Sequence, residues 1–498
     1  MTRAVKADWA SGCRRIRRRM FLADCGMGFT GLALGAMLQR DGIARSGSST
    51  EWSPTDGQPH FAPRAKRVIW LFMQGGVSHL ESFDPKPELS KYAGMQINET
   101  PHRDVLESPH VENFVSFFPE SPHQIKHQLY PMQVGHAKRG EAGVEVTDWW
   151  PHLSKCVDDL AIVRSMWTTD NDHAAQLQFY TGRHINQGFF PTIGGWVHYG
   201  LGSLNDNLPS FVVLGEGTSS CCGGTGVYSA DYLGPEHSGI PLLADGPNPL
   251  PFGQPGPDVY REEQENEFRL LQHLHQLAQV EYPEDRELRA RIQSYELAFR
   301  MQSSVPEAFE FAEEGEGTRK LYGLDQDHTR DFGELCLRAR RLVERGVRFV
   351  QVFHGAGGAG QWDAHSDLKK NHTKLCAQVD QPIAGLIKDL KQRGLLEDTV
   401  VVWGTEFGRS PGVEGERGGR DHHPYAFSIW MAGGGIQGGI VHGATDELGF
   451  HAVEDRHYVT DIHATVLHQL GLDPRRLQVP GHKRLELDFG KPIQQILA

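Results

Sequence analysis

Short apolar runs closed by glycine or polar residues alternate along the chain with longer stretches whose apolar residues recur at helical spacing. The first run, Arg67–Met73 (RVIWLFM), stops at Gln74-Gly75-Gly76. An unbroken run of this composition predicts a strand buried on both faces. Further strands are expected at 161–166, 211–214, 347–353, 400–403 and 426–431, and helices at 174–180, 331–345, 369–393 and 461–470. From residue 331 onward strand, helix and strand alternate, the pattern of a crossover unit. The expected fold class is α/β, a mostly parallel sheet flanked by helices on both faces. In such a sheet the loops leaving the carboxyl ends of the strands open onto one crevice, where reactive groups gather.

Two segments break this rhythm. Residues 216–257 are dominated by Gly, Pro and Ser and read as a long irregular excursion over the surface. Residues 258–330 turn highly charged, with Phe268, Leu271, Leu274 and Leu277 at helical spacing, and read as a helical insert that covers core. At the N-terminus, Arg18-Arg19-x-Phe21-Leu22 precedes a mildly apolar, Gly-rich run. This pattern predicts a twin-arginine-like export signal over residues 1–44, a polar linker over 45–65 and a single domain over 66–498. The apolar run is too short and too polar for a stable transmembrane anchor. Asp24 before Cys25, with no apolar run preceding it, argues against lipidation. The expected location is exported, in the periplasm or cell envelope.

Composition narrows the classes further. A chain of 498 residues with 39% hydrophobic residues and 57 glycines has enough material for a large core and many loops. A net charge of -13 argues against nucleic acid as a general partner. Beyond the signal, Cys156, Cys221, Cys222, Cys336 and Cys376 form no CxxC or Cys/His zinc pattern, and the adjacent Cys221-Cys222 pair does not bridge without strain.

The chemistry concentrates at strand ends. The run at 400–403 is followed by Glu406 and then by a Gly-rich loop that delivers Asp421, His422 and His423. The strand at 347–353 is followed by Trp362-Asp363-Ala364-His365, whose spacing of two puts Asp363 and His365 on one side of an extended segment. Oxygen and nitrogen donors of this kind suit a borderline divalent cation, zinc being the named candidate. Asp363, His365, Glu406, Asp421, His422 and His423 are therefore the expected metal ligands. After the first strand come Ser78, His79, Glu81 and Asp84; after the second, Thr168, Thr169, Asp170, Asn171, Asp172 and His173. Thr169 and His173 are taken as catalytic candidates, with Thr168 and Ser78 as further hydroxyls, while Arg183 and Arg409 are candidates for seating an anionic group. Asn171 and His173 serve equally well as ligands or turn formers.

Several of these segments together resemble one family. The stretches RRRMFLADCGMGFTGLALGAML, RVIWLFMQGGVSHLESFDPKPEL, WDAH and TEFGRSP…GRDHHPYAFSIWMAGGGIQGG resemble the "domain of unknown function 1501" family of bacterial proteins, a branch of the alkaline phosphatase and sulfatase superfamily. The resemblance implies an alkaline-phosphatase-like core with a one- or two-metal hydrolytic site. Thr181-Gly182-Arg183-His184 is similar to the segment that follows the sulfatase nucleophile, and 459–467 with Gly471-Leu472 to the C-terminal sulfatase helix motif. Glu406 stands where the superfamily presents an Asp-His metal pair, with Phe407 in place of the histidine. Gln74 stands near the acidic first-strand ligand, and the nucleophile position falls near Asp172 and His173 with no Cys-x-Pro-x-Arg. The expectation is an exported hydrolase of phosphate or sulfate esters that uses a metal-activated water, its partner an anionic small-molecule or polysaccharide ester. The alternative is a non-catalytic metal-containing protein that binds an anionic polysaccharide or envelope component.

Overall fold

The computed structural model describes residues 55–109, 125–243, 249–250, 260–281 and 286–498. The expected export signal and the first part of the linker lie outside them. Within the compact unit Thr55–Ala498, nine strands build the main sheet. They are β1 (Arg67–Met73), β2 (Leu160–Trp167), β3 (Phe211–Leu214), β4 (Ile240–Leu242), β5 (Phe349–His354), β6 (Thr399–Gly404), β7 (Phe427–Ala432), β8 (Ile440–His442) and β9 (His457–Tyr458). The order is β8-β2-β7-β6-β1-β5-β3-β4, with β9 also paired to β2. Every pairing is parallel except those of β7, which runs antiparallel to both β2 and β6.

The alternation of side chains along each strand divides the core into two apolar layers. Ile69, Leu71 and Met73 of β1 face one layer with Leu337 and Leu342 of the helix Asp327–Glu344 and Val379 and Ile383 of the helix Leu368–Gln392. Val68, Trp70 and Phe72 face the other, with Phe179 of the helix Ala175–Thr181, Trp196 of Ile193–Leu201 and Val466 of Val459–Gln469. The sheet is thus an α/β layer with helices on both faces. Trp70 packs edge-on to Phe179 with ring centroids 5.5 Å apart. Truncating a fully buried Trp to Ala costs about 3–5 kcal/mol.

Part of the stretch at 216–257, expected as a loop-rich excursion, lies outside the described residues. Among its described residues, Ile240–Leu242 joins the sheet edge in parallel with β3, because its alternate residues Ile240 and Leu242 pack into the core layer beneath. Short 3-10 turns occupy much of the preceding chain. The region 258–330 carries the helices Arg261–Glu281, Arg286–Phe309 and Glu316–Leu321. Among the described residues no helix is long and apolar enough to cross a membrane.

Candidate functional site

Three central strands end level with one another: Met73 lies opposite His354 and Phe72 opposite Gly404. The loops that begin at Gln74, Gly355 and Thr405 therefore leave the sheet side by side. Gly75 adopts φ +116°, and a Cβ there would sit 2.5 Å from the Asp363 nitrogen and 2.9 Å from the Gly360 carbonyl. Glycine is what lets the Trp362–His365 loop lie across the end of β1. The loop after β6 doubles back as a two-residue antiparallel ribbon that sets His422 opposite Arg409 and His423 opposite Gly408.

Four side chains converge on one point from these loops and from the loop after β2. Asp363 Oδ1 lies 2.9 Å from His365 Nε2 and 3.2 Å from His422 Nε2, and those two nitrogens are 3.0 Å apart. Asp363 Oδ2 is 3.3 Å from His173 Nε2. Each ring is held on its far side by an acceptor: Glu406 Oε1 at 2.9 Å from His173 Nδ1, Glu414 Oε2 at 2.5 Å from His365 Nδ1, and the Asn171 carbonyl at 2.6 Å from His422 Nδ1. A carboxylate or carbonyl oxygen only accepts, so each Nδ1–H donates and each neutral ring keeps its Nε2 lone pair for the shared point.

Three lone pairs and a carboxylate do not rest against one another without positive charge between them. Hydrogens on both His365 Nε2 and His422 Nε2 would collide across 3.0 Å, so either one nitrogen donates a proton to the other or a cation lies between them. A divalent cation held by His173, Asp363 and His422 would satisfy three of these donors, with His365 adjoining through Asp363 Oδ1 and His422 Nε2. The observed separations of 2.9–3.3 Å approach the ~3.3 Å edge of a tetrahedron with ~2.0–2.1 Å bonds, the geometry zinc takes with imidazole and carboxylate. Rings fixed by a carboxylate or carbonyl on the opposite nitrogen are the usual support of such ligands. His173, Asp363 and His422 form one compact metal-capable group, and His365 and His422 share a second with Asp421.

The electrostatics of the cluster follow from this crowding. Burial works to raise the Asp363 pKa, but Arg409 and the three imidazoles outweigh it and hold the carboxyl well below the usual range. Burial also works to lower the His365 pKa, yet hydrogen bonds to Asp363 and Glu414 push it up to about 9. His173 is raised in the same way, against its burial, by Asp363 and Glu406. The site attracts positive charge.

The other expected residues are placed differently. Glu406 is fully buried and surrounded by donors: Gly75 N at 2.9 Å, His173 Nδ1 at 2.9 Å, Gln176 Nε2 at 3.1 Å and the Thr405 hydroxyl at 3.1 Å. It orients His173 rather than reaching the shared point. Asp421 accepts from the His422 backbone N–H and from Lys126 Nζ at 2.9 Å, and meets His365 on its Nδ1 side at 3.7 Å. His423 points the opposite way from His422, donates from Nε2 to the Phe450 carbonyl at 2.5 Å, and is held neutral by burial. Arg409, also fully buried, binds the carbonyls of Gly75, Gly76, Trp362 and Arg420 together with Asp363, which leaves it no face for an external anion. Arg183 forms a bidentate pair with Asp488 and lines a separate cavity of only about 20 Å³. The Thr169 hydroxyl accepts from Gln178 Nε2 at 2.7 Å. The structure thus gathers Asp363, His365, His422 and His173, and does not bring Arg183, Thr169 or His423 to their shared point.

Glu414 and Lys126, which the sequence did not single out, complete the site, and Asn171, expected as a ligand or turn former, contributes its backbone carbonyl. Glu414 and the Asn171 carbonyl orient two rings, and Lys126 bridges Asp421 and Glu414 at 2.9 and 3.4 Å. Lys126, Asn171, Ser410, His422 and His423 line a cavity of about 290 Å³ with Tyr425. Glu414 carried a signal, an acid within the Gly-rich loop, whereas the role of the Asn171 carbonyl is one that no side chain announces.

A family model described as "Protein of unknown function (DUF1501)" matches residues 65–497. The chain belongs to the DUF1501 family. Among functionally curated proteins no sequence matches it. Solved structures similar to this DUF1501 chain include the PsFucS1 sulfatase from Pseudoalteromonas sp. (14% identity, 87% of this chain and 72% of that one, TM-score 0.34). The phosphonate monoester hydrolase SpPMH from Silicibacter pomeroyi (11%, 70% and 71%, 0.34) and a protein in the alkaline phosphatase superfamily from Vibrio parahaemolyticus (10%, 86% and 72%, 0.34) are also similar. At these values none of them assigns a residue or a reaction to this chain.

Proposed function

We propose that this DUF1501 protein is an exported, metal-dependent hydrolase of phosphate or sulfate esters, built on an alkaline-phosphatase-like core. His173, Asp363, His365 and His422 hold one divalent cation, with zinc the first choice on donor type and spacing. The observation that carries this reading is the convergence of three imidazole lone pairs on Asp363, each ring fixed from behind by an acceptor. A bound cation of this kind makes a nucleophile of water at neutral pH and polarises an ester oxygen. Hydrolysis by water suits a chain without the sulfatase nucleophile, whose position falls near Asp172 and His173.

The protein's own residues supply orientation and charge. Glu406, Glu414 and the Asn171 carbonyl keep the three imidazoles in the tautomer that faces the cation. Lys126, its ammonium group paired with Asp421 and Glu414, stands at the wall of the adjoining cavity and adds positive charge beside His422. Tyr425 and His423 give that cavity an aromatic side for the organic part of the ester.

A second reading has its own support: the chain resembles the sulfatases yet carries no Cys-x-Pro-x-Arg, and the nucleophile position falls near Asp172 and His173. The protein then binds an anionic polysaccharide or envelope component without turning it over. Metal analysis of the purified protein with aryl phosphate and aryl sulfate assays separates the two. The enzyme reading predicts about one metal per chain and turnover lost in Asp363→Ala and His422→Ala. Bound metal without turnover on either ester supports the second reading, and a metal content unchanged in both variants overturns the ligand assignment.

A further inference from the structure

Beside the metal centre, Cys221 Sγ and Cys222 Sγ lie 3.0 Å apart, in contact although adjacent in sequence. They close a 3-10 turn, Ser220–Cys222, that runs into Gly223 at φ +113° and Gly224 at φ +53°. The Ser219 hydroxyl donates to the Gly358 carbonyl and presents its oxygen to Cys221 Sγ at 2.9 Å, and the Cys222 thiol points to the same carbonyl at 3.7 Å. The two sulfurs are unequal: Cys221 is exposed and Cys222 buried.

We propose that Cys221 and Cys222 form a redox-active pair that closes to a vicinal disulfide by exchange with a low-molecular-weight disulfide and reopens with thiols. The exposed Cys221 thiolate attacks one sulfur of the oxidant, forms a mixed disulfide and releases the first thiol. Cys222 then attacks Cys221 Sγ, closing the ring and releasing the second thiol. Two electrons pass from the pair to the oxidant, and the two thiol protons leave with its halves. Burial works against the Cys221 thiolate, but contacts with Cys222 and Ser219 and the nearby His173 outweigh it, whereas burial keeps Cys222 protonated until it is needed. The eight-membered ring of adjacent cysteines is strained, and strained, exposed disulfides are the easily reduced ones. Reversibility is therefore expected.

The pair borders the metal centre through one short path. Gly358 precedes Ala359, whose carbonyl accepts from Gln176 Nε2 at 2.8 Å, and the same Gln176 nitrogen reaches Glu406 Oε1 at 3.1 Å. Oxidation removes the thiol hydrogen that Cys222 aims at the loop leading to Asp363.

The test uses the purified full-length protein and oxidised glutathione, with residual thiols alkylated before mass spectrometry of the peptide that contains both cysteines. The expected product is a peptide about 2 Da lighter, free of glutathione and restored by a dithiol reductant. Cys222→Ser is expected to stop at a stable glutathione adduct on Cys221. A wild-type peptide that accumulates the adduct, or that stays alkylated at both cysteines, overturns the proposal, and neither readout depends on the variant's folding.

Discussion

Glu406→Gln is nearly isosteric, yet it reverses the chemistry of one side of the site. The carboxylate accepts from Gly75 N, His173 Nδ1 and Gln176 Nε2, and its second oxygen lies 3.1 Å from the Thr405 hydroxyl, which also reaches the Met73 carbonyl at 2.9 Å. An amide brings an NH2 into that shell. If the NH2 faces His173, Nδ1 must become the acceptor and the hydrogen moves to Nε2, where it points at Asp363 and occupies the cation's place. If it faces the other way, it opposes the Gly75 N–H 3.2 Å from the second oxygen. Groups that hold a metal-binding imidazole cost about 10–100-fold in affinity when altered, or about 1.4–2.8 kcal/mol. Complete burial, with no water to take over the lost acceptor, places Glu406 near the upper end. Glu414, 24% exposed on its side chain, belongs near the lower end for Glu414→Gln. The assay is zinc affinity by chelator competition at neutral pH, with circular dichroism to establish that each variant is folded. A folded Glu406→Gln that binds zinc within about twofold of wild type would refute the tautomer argument, since that factor is far below the expected loss.

Gly75→Ala places a Cβ at φ +116° and 2.5 Å from the Asp363 nitrogen, so it is expected to cost more than about 1 kcal/mol in urea unfolding and to weaken metal binding; an unchanged midpoint would contradict this. Arg420 is fully buried, bidentate to Glu81 and bonded to the carbonyls of Ser410 and Pro411, so Arg420→Met leaves a buried carboxylate unpaired at about 3–5 kcal/mol, read as a lower unfolding midpoint. Acid sensitivity follows from four histidines, His372 and His463 buried and His198 and His354 half-buried: desolvation lowers His198 and His372 to about 3 and His354 and His463 to about 4. The unfolded chain takes up their protons near pH ~6.5 while the folded chain does not, so their stabilisation is complete above that value and is lost as pH falls toward ~4. At pH ~5 each costs up to about 2 kcal/mol, and thermal melts that stay level from pH ~7 to ~5 would contradict the assignment.

What the chain revealed before folding depended on how local each signal was. The strands β1, β5 and β6 were legible to within about two residues because a doubly buried strand needs an unbroken apolar run. The reversed direction of β7 was not, because FSIWMA has the same composition whichever way it runs. The edge strands β4, β8 and β9 are two or three residues long, too short to show a period. Asp363, His365 and His422 could be read as a group because they sit just past strand ends in loops of ligand-type residues. His422 and His423 were indistinguishable, since only their place in a two-residue strand sends them to opposite faces. His173 stayed open between a catalytic residue, a ligand and a turn former because its partners, Glu406 and Asp363, are distant in sequence. Arg409 looked like an anion binder because its guanidinium is buried against backbone carbonyls that no residue pattern records.

The central claim is that three imidazoles and one carboxylate share a single cation. X-ray absorption on the zinc-loaded protein tests it most directly. The account predicts about one zinc per chain with four nitrogen and oxygen neighbours at ~2.0–2.1 Å and the outer scattering of three imidazole rings, reduced to two in His173→Ala. Zinc bound through sulfur, or a spectrum that His173→Ala leaves unchanged, would contradict it.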